Sequence, residues 1–164
     1  MTRIVSDMPA EKKGTDGGIM VAVGAVVLDE TNRVLLVKHV EAKRGGFWFG
    51  KWICPGGKLQ YGESLEDGTK REVMEETSLE IELTGKPIVL DRIVKKGDMP
   101  ELHVLYIDHT AHVIRGQLKA GSDVAIARWF SKETLRAQWN ELHEDTQRLL
   151  LESKVVGEDV KIIA

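Results

Sequence analysis

The chain of 164 residues has a single cysteine, Cys54, only four prolines, and few aromatics: four tryptophans, two tyrosines and three phenylalanines. One cysteine excludes an internal disulfide and an all-cysteine zinc site. The longest apolar run, residues 19–28, is interrupted by Gly24, and ten residues fall well short of the ~20 that cross a bilayer. No membrane partner is expected. The first eighteen residues mix charges with Pro9, Gly14, Gly17 and Gly18 and lack the apolar core of a signal peptide, so a cytoplasmic location is expected. Positive charge is not in excess either. Lys and Arg number 23 against 26 Asp and Glu, for a net charge of −3, which argues against the basic stripe of a nucleic-acid binder.

What is present is the composition of an ordinary folded domain, 42% hydrophobic and 30% charged. The pattern predicts a tail over 1–17, one domain over 18–153 and a C-terminal extension over 154–164. The valine-rich run 19–28, the turn residues Asp29-Glu30-Thr31-Asn32 and the apolar 34–37 read as a hairpin. Residues 52–54 read as a short strand stopped by Pro55-Gly56-Gly57. A helix is predicted over 64–77, with Ser64 and Asp67 arranged as a capping pair. Strand-like stretches follow at 80–83, 88–94, 102–113 and 124–130. A short helix capped by Ser131 comes next, and a closing helix covers 142–153. Strands on both sides of a helix indicate an α+β chain, with a mixed sheet between helical layers.

Acidity is concentrated rather than spread. Residues 56–82 hold eight carboxylates and three cations. Within the predicted helix, Glu72, Glu75 and Glu76 fall at i, i+3 and i+4 and so share one face. They lie in its last turns, where the helix dipole opposes negative charge. Fold stability alone does not favour that placement. A hard divalent cation such as Mg²⁺ would, because it takes oxygen ligands and completes its shell with water and substrate phosphates. A solvated glutamate face is the structural alternative. Two further features suit a phosphorylated ligand. The loop holding Arg44 and Phe47-Trp48-Phe49 offers a cation for phosphate and aromatic faces for a base, and Lys58 stands beside the glycine pair. Each has its own alternative, aromatic rings packed in the core and a lysine in solvent.

In order, the chain has Gly57, five residues, Glu63, seven residues, then Arg71-Glu72-Val73-Met74-Glu75-Glu76-Thr77-Ser78-Leu79. This resembles the Nudix box, G-x5-E-x7-R-E-U-x-E-E-x-G-U with U apolar, at eight of nine signature positions over 57–79. Ser78 stands where the pattern has glycine. A left-handed helix end there would cost a residue with a Cβ about 1 kcal/mol. The resemblance implies a Nudix-type α/β/α sandwich around a mixed β-sheet, and hydrolysis of a phosphoanhydride in a nucleoside diphosphate linked to X. A nucleoside triphosphate or a nucleotide sugar such as ADP-ribose would fit that description.

Residue by residue, the resemblance implies that Glu72, Glu75, Glu76 and the Gly56 carbonyl bind Mg²⁺, or Mn²⁺ in its place. Asp123, six residues before Trp129, would be a further ligand. Glu72 or a metal-bound hydroxide network would act as base, and Arg71 would orient the acids by pairing with Glu63 and Glu75. A nucleotide is the expected partner, and a homodimer is common among proteins of this type. Subgroup markers are missing: Lys95 occupies the position, about sixteen residues past the box, where a proline or tyrosine would point to a particular substrate. A catalytically silent, nucleotide-sensing regulatory domain is the alternative function. It would be free to lose box carboxylates, and none is missing.

Overall fold

The computed structural model describes residues 18–39 and 46–160. The valine-rich run predicted as a strand becomes β1 (Met20–Leu28), and the turn after it leads into β2 (Val34–His39), paired antiparallel at Leu28 and Val34. The Asp29 carboxylate closes the turn by accepting from the Thr31 and Arg33 amides at 2.9 and 2.8 Å. Further strands are β3 (Gly56–Lys58), β4 (Glu80–Lys96), β5 (Met99–Arg115) and β6 (Val124–Phe130). Their order is β4-β5-β1-β2-β6, with β3 paired to β1 off this path. The β1–β5 pair is parallel and the others are antiparallel, so the sheet is mixed, as expected.

Alternation along the strands sends side chains to two helical layers. On one face Ala25, Val27 and Leu35 meet Val73 of α1 (Leu65–Thr77), with Leu79, Ile81 and Ala111. On the other, Val26, Leu36 and Leu90 meet Leu135 of α2 (Lys132–Ala137) and Leu149 and Leu150 of α3 (Glu144–Glu152), with Trp52 and Phe130. Val156 and Val160 complete that second core.

Three local expectations change. The strand near residue 54 lies one step later: Trp52 and Ile53 form isolated bridges, and Gly56–Lys58 is the strand. Glycines that look like a terminator pair with β1 because neither side has a Cβ to hold the backbones apart. Gly56 lies opposite Gly24, and a Cβ on Gly56 would sit 2.5 Å from the Val23 carbonyl oxygen. The predicted pieces 80–83 and 88–94 are one strand, continuous through an irregularity between Thr84 and Ile88. The closing helix starts later than expected, because His143 is its N-cap and a 3-10 turn (Trp139–Glu141) precedes it.

Both ends of α1 follow the sequence. The Ser64 hydroxyl accepts from the Asp67 amide at 3.0 Å. Ser78 closes the helix in the left-handed conformation (φ 63°, ψ 19°), its N–H donating to the Met74 carbonyl at 2.9 Å. Glycine adopts that backbone without a Cβ penalty. Ser78→Gly is therefore expected to stabilise the fold by about 0.5–1 kcal/mol, a rise of ~1–4 °C in unfolding temperature for a chain of this size. Thermal unfolding followed by circular dichroism checks it.

Candidate functional site

Helix α1 delivers the acids. Its last turn has no basic residue, and Glu72, Glu75 and Glu76 meet the Gly56–Lys58 strand there. Glu76 is 2% exposed. Its Oε1 accepts from the Gly56 N–H at 3.0 Å, and its buried Oε2 has no hydrogen-bond partner among the described residues. Burial pushes this carboxyl well above the usual carboxylate range, with the Glu72, Asp123 and Glu75 charges adding to the rise. Glu72 fills the space over Gly57, where a Cβ would lie 2.5 Å from the carboxylate. Burial raises its carboxyl too, although the Arg71 hydrogen bond opposes the shift.

Arg71 pairs as expected and more widely. Its Nε and Nη2 donate to the two Glu63 oxygens at 2.9 and 2.6 Å, and Nη1 donates to Glu72 at 2.8 Å and Glu75 at 3.3 Å. Nη2 also reaches the Lys58 carbonyl at 3.2 Å. This fork draws the Glu63 carboxyl down to about 2. Among the described residues no three His, Cys, Asp or Glu side chains converge on a single point, because the Glu72 and Glu75 carboxylates each turn one oxygen to Arg71.

Asp123 comes to the site through α1 itself. The Lys119 and Gly121 amides donate to the Thr77 and Glu76 carbonyls, each at 3.0 Å, using acceptors that a helix end leaves open. Asp123 then stands 3.4 Å from His39 Nδ1, whose Nε2 is 3.9 Å from Glu76 Oε2.

These acids form one end of a cavity of about 350 Å³, lined also by Gly56, Gly57 and Lys58. The other end lies between the sheet and α3 and is bounded by Trp48, Leu90, Tyr106, Asp108, Asp145 and Leu149. Asp145 is fixed there by Arg92, whose Nε donates to Oδ1 at 2.9 Å and whose Nη2 reaches the same oxygen. Tyr106 donates its hydroxyl proton to Asp145 Oδ2 at 2.7 Å and accepts from the Trp48 indole N–H at 3.0 Å. Two backbone bonds tie this wall to the loop before β3: Trp52 N–H to the Glu141 carbonyl at 3.0 Å, and His143 N–H to the Trp52 carbonyl at 2.9 Å. His143 Nδ1 accepts from the Asp145 amide at 3.1 Å and Nε2 faces the Phe47 carbonyl at 3.1 Å, an arrangement that suits a neutral ring with its proton on Nε2. Burial lowers the His143 value accordingly.

Of the residues singled out from sequence, the structure brings Glu72, Glu75, Glu76, Gly56, Asp123, Trp48 and Lys58 to one cavity, with Arg71 and Glu63 behind the acids. Arg44 lies outside the described residues. Trp52 and Phe49 are not at the site: Trp52 is core, and Phe49 is 49% exposed. Sequence reasoning missed His39, Arg92, Tyr106 and Asp108 as residues of the site, and it gave Asp145 no role there beyond its place in the closing helix.

A family model described as the NUDIX domain matches residues 18–150. The chain belongs to the NUDIX family. Among curated relatives, it is 35% identical over 85 residues to the mouse protein named oxidized purine nucleoside triphosphate hydrolase, covering 51% of this chain and 52% of the relative. It is 32% identical over 110 residues to the ADP-ribose pyrophosphatase of Methanocaldococcus jannaschii, covering 66% and 60%. The matched stretch thus spans roughly half to three fifths of these relatives. Among solved structures, the MutT NUDIX hydrolase from Burkholderia pseudomallei superposes with a TM-score of 0.65 at 26% identity, over 83% of this chain and 98% of that one.

The donors fit a hard divalent cation. They are all oxygen, they border an open cavity, and the buried Glu76 Oε2 lacks a hydrogen-bond partner among the described residues, a costly arrangement unless something else satisfies it. A raised carboxyl holds its proton more tightly folded than unfolded, so this contribution to stability is greatest below about pH 4.5 and is lost as pH rises towards the folded value. Glu76→Gln keeps the acceptor for Gly56 and removes the charge. In chelator at pH 8 the variant should unfold at a higher temperature, by on the order of 5 °C, since an uncompensated buried polar atom costs about 1–3 kcal/mol. The difference should shrink as the pH is lowered towards 4.5. Thermal unfolding across that range measures it.

Proposed function

We propose that this NUDIX chain is an Mg²⁺- or Mn²⁺-dependent pyrophosphohydrolase that cleaves a phosphoanhydride bond in a nucleoside diphosphate linked to X. The observation that carries this reading is the partnerless oxygen of buried Glu76, set beside Glu72, Glu75, Asp123 and the Gly56 backbone at one end of a nucleotide-sized cavity. The names of the mouse and archaeal relatives, an oxidized purine nucleoside triphosphate hydrolase and an ADP-ribose pyrophosphatase, support the substrate class.

In this reading Glu72, Glu75, Glu76, Asp123 and the Gly56 carbonyl hold the metal. When bound, the ion supplies Lewis-acid activation of a phosphoryl oxygen and lowers the pKa of water. Arg71 keeps the Glu72 and Glu75 carboxylates in place, and Glu63 anchors Arg71. Lys58 meets a substrate phosphate and Trp48 borders the base end. Water attacks phosphorus in line with the bridging oxygen. The new P–O bond forms as the bridging P–O bond breaks, the leaving phosphate keeps the electron pair, and Glu72 accepts the water's proton. Burial raises its pKa above that of a free carboxylate, which makes it a stronger base. A second copy of the chain would find apolar surface on the β4–β5 hairpin, where Val89, Ile93 and Met99 are exposed.

Release of phosphate or pyrophosphate, assayed with Mg²⁺ over a panel of nucleoside triphosphates and nucleotide sugars, tests the reading. At least one should turn over. Glu75→Gln should lower kcat by about 10²–10³, the usual effect of removing one charge-stabilising group, with little change in unfolding temperature in chelator because Glu75 is half exposed. Nucleotide binding without turnover of any member of the panel would favour the silent sensing domain instead.

A further inference from the structure

At the inner end of the cavity, on the sheet face that meets α3, one carboxyl has no counterpart. Asp108 is 7% exposed, lies on β5 and lines the cavity. Asp145, on the facing wall, already has both oxygens engaged, Oδ1 by Arg92 and Oδ2 by Tyr106. For Asp108 neither a hydrogen bond nor an opposite charge among the described residues offsets its burial.

The backbone beneath is shaped for this group. Asp108 pairs with Gly24 across the parallel β1–β5 ladder, and a Cβ on Gly24 would lie 2.7 Å from Asp108 Oδ1 and 2.7 Å from the Pro55 carbonyl oxygen. The missing side chain is the space into which the carboxyl leans. A buried, partnerless polar group is costly in a folded chain, and one placed on a cavity wall is explained if a ligand completes it.

We propose that Asp108 is a specificity-determining residue, donating a hydrogen bond from its carboxyl O–H to an acceptor, a ring carbonyl or unprotonated ring nitrogen, on the inner edge of the bound nucleobase. The inference rests on the nucleotide reading above. Burial raises this carboxyl to about 7, so a proton is available for donation near neutral pH. Its neighbours carry no positive charge to offset this: Tyr106 is a neutral phenol bonded to Asp145, and Cys54 is a thiol that burial keeps protonated. A neutral acid donates and accepts at once, whereas the ionised carboxylates elsewhere in the cavity only accept. It can therefore pair with a base edge that those carboxylates would repel.

Equilibrium binding of guanosine, adenosine, cytidine and uridine 5′-monophosphates, with ribose 5-phosphate as the baseless control, tests the assignment in the full chain. The wild-type protein should bind at least one monophosphate more tightly than the control. Asp108→Leu, of similar shape but without polar atoms, should weaken that monophosphate about tenfold and leave ribose 5-phosphate unchanged. Asp108→Asn, which still has a donor, should stay within about threefold of wild type. Asp108→Ala gives the same reading as the leucine variant should that one not fold. Equal losses for base and control, an asparagine variant as weak as leucine, or no base preference in the wild type would each overturn the proposal. Because binding is read without turnover, Asp108-dependent base preference in a chain that hydrolyses no nucleotide would reject the hydrolase reading and leave this one standing.

Discussion

The contact between the Glu76 carboxylate and the Gly56 amide is where helix, sheet and cavity meet. It joins the last turn of α1 to β3 at 3.0 Å, and it buries a carboxyl whose second oxygen has no partner. A chain under selection for stability alone would place an apolar residue here, since a buried charge without a counter-charge costs more than its single hydrogen bond returns. Retaining it fixes the geometry around it. The same turn offers the Glu76 and Thr77 carbonyls to Gly121 and Lys119, so the loop carrying Asp123 is located by the residue that it faces. The glycine-on-glycine approach of β1 and β3 brings the Gly56 amide within reach.

The cavity arises from the way β1 shares its partners. Near Leu28 it pairs with β2, and at Ala22–Gly24 it pairs with β3. The sheet splays between the two, and α3 with the 46–55 loop closes the opening on one face. The walls are held by polar chains rather than by packing alone. Trp48 donates to Tyr106, Tyr106 to Asp145, and Arg92 to Asp145 from the adjacent strand. Such a chain has a direction, and each member is oriented by the one before it, which keeps an aromatic edge and a carboxylate in fixed positions around open space.

Much of this was legible in the residues. Valine-rich and apolar runs located β1, β2 and β6, the Ser64 cap located the start of α1, and the left-handed Ser78 followed from the box pattern. The acid cluster was readable because Glu72, Glu75 and Glu76 fall at spacings that a helix turns into neighbours, and the Arg71–Glu63 pairing because the stretch 57–79 resembles the Nudix box. What the sequence did not disclose depends on partners far along the chain. Arg92 and Asp145 are 53 residues apart, and nothing near Arg92 marks it as an anchor. Gly56 and Gly57 read as a terminator because a two-glycine strand makes sense only when the opposing Gly24 is known. Asp108 did leave a trace, a single acid following the apolar stretch 102–107, but only the fold shows that it points into a cavity and not to solvent.

The distribution of cations explains which acids remain for a ligand. Arg71 satisfies both oxygens of Glu63 and one each of Glu72 and Glu75, while Lys70 occupies Glu66 on the outer face at 2.7 Å. Neither reaches Glu76, whose nearest imidazole nitrogen, on His39, is 3.9 Å away. Among the described residues, the chain thus pairs the rim of its acidic helix with cations and leaves the innermost carboxyl, Glu76, without one in hydrogen-bond reach. Low local polarisability amplifies the potential of a buried charge, and a small divalent cation gains more from it than a monovalent side chain would. An additional lysine in the last turn of α1 would relieve the repulsion and improve the helix dipole. In the proposed reading, its absence would leave the inner site to an ion of high charge density, and phosphates carried with such an ion would then enter a cavity that otherwise repels them.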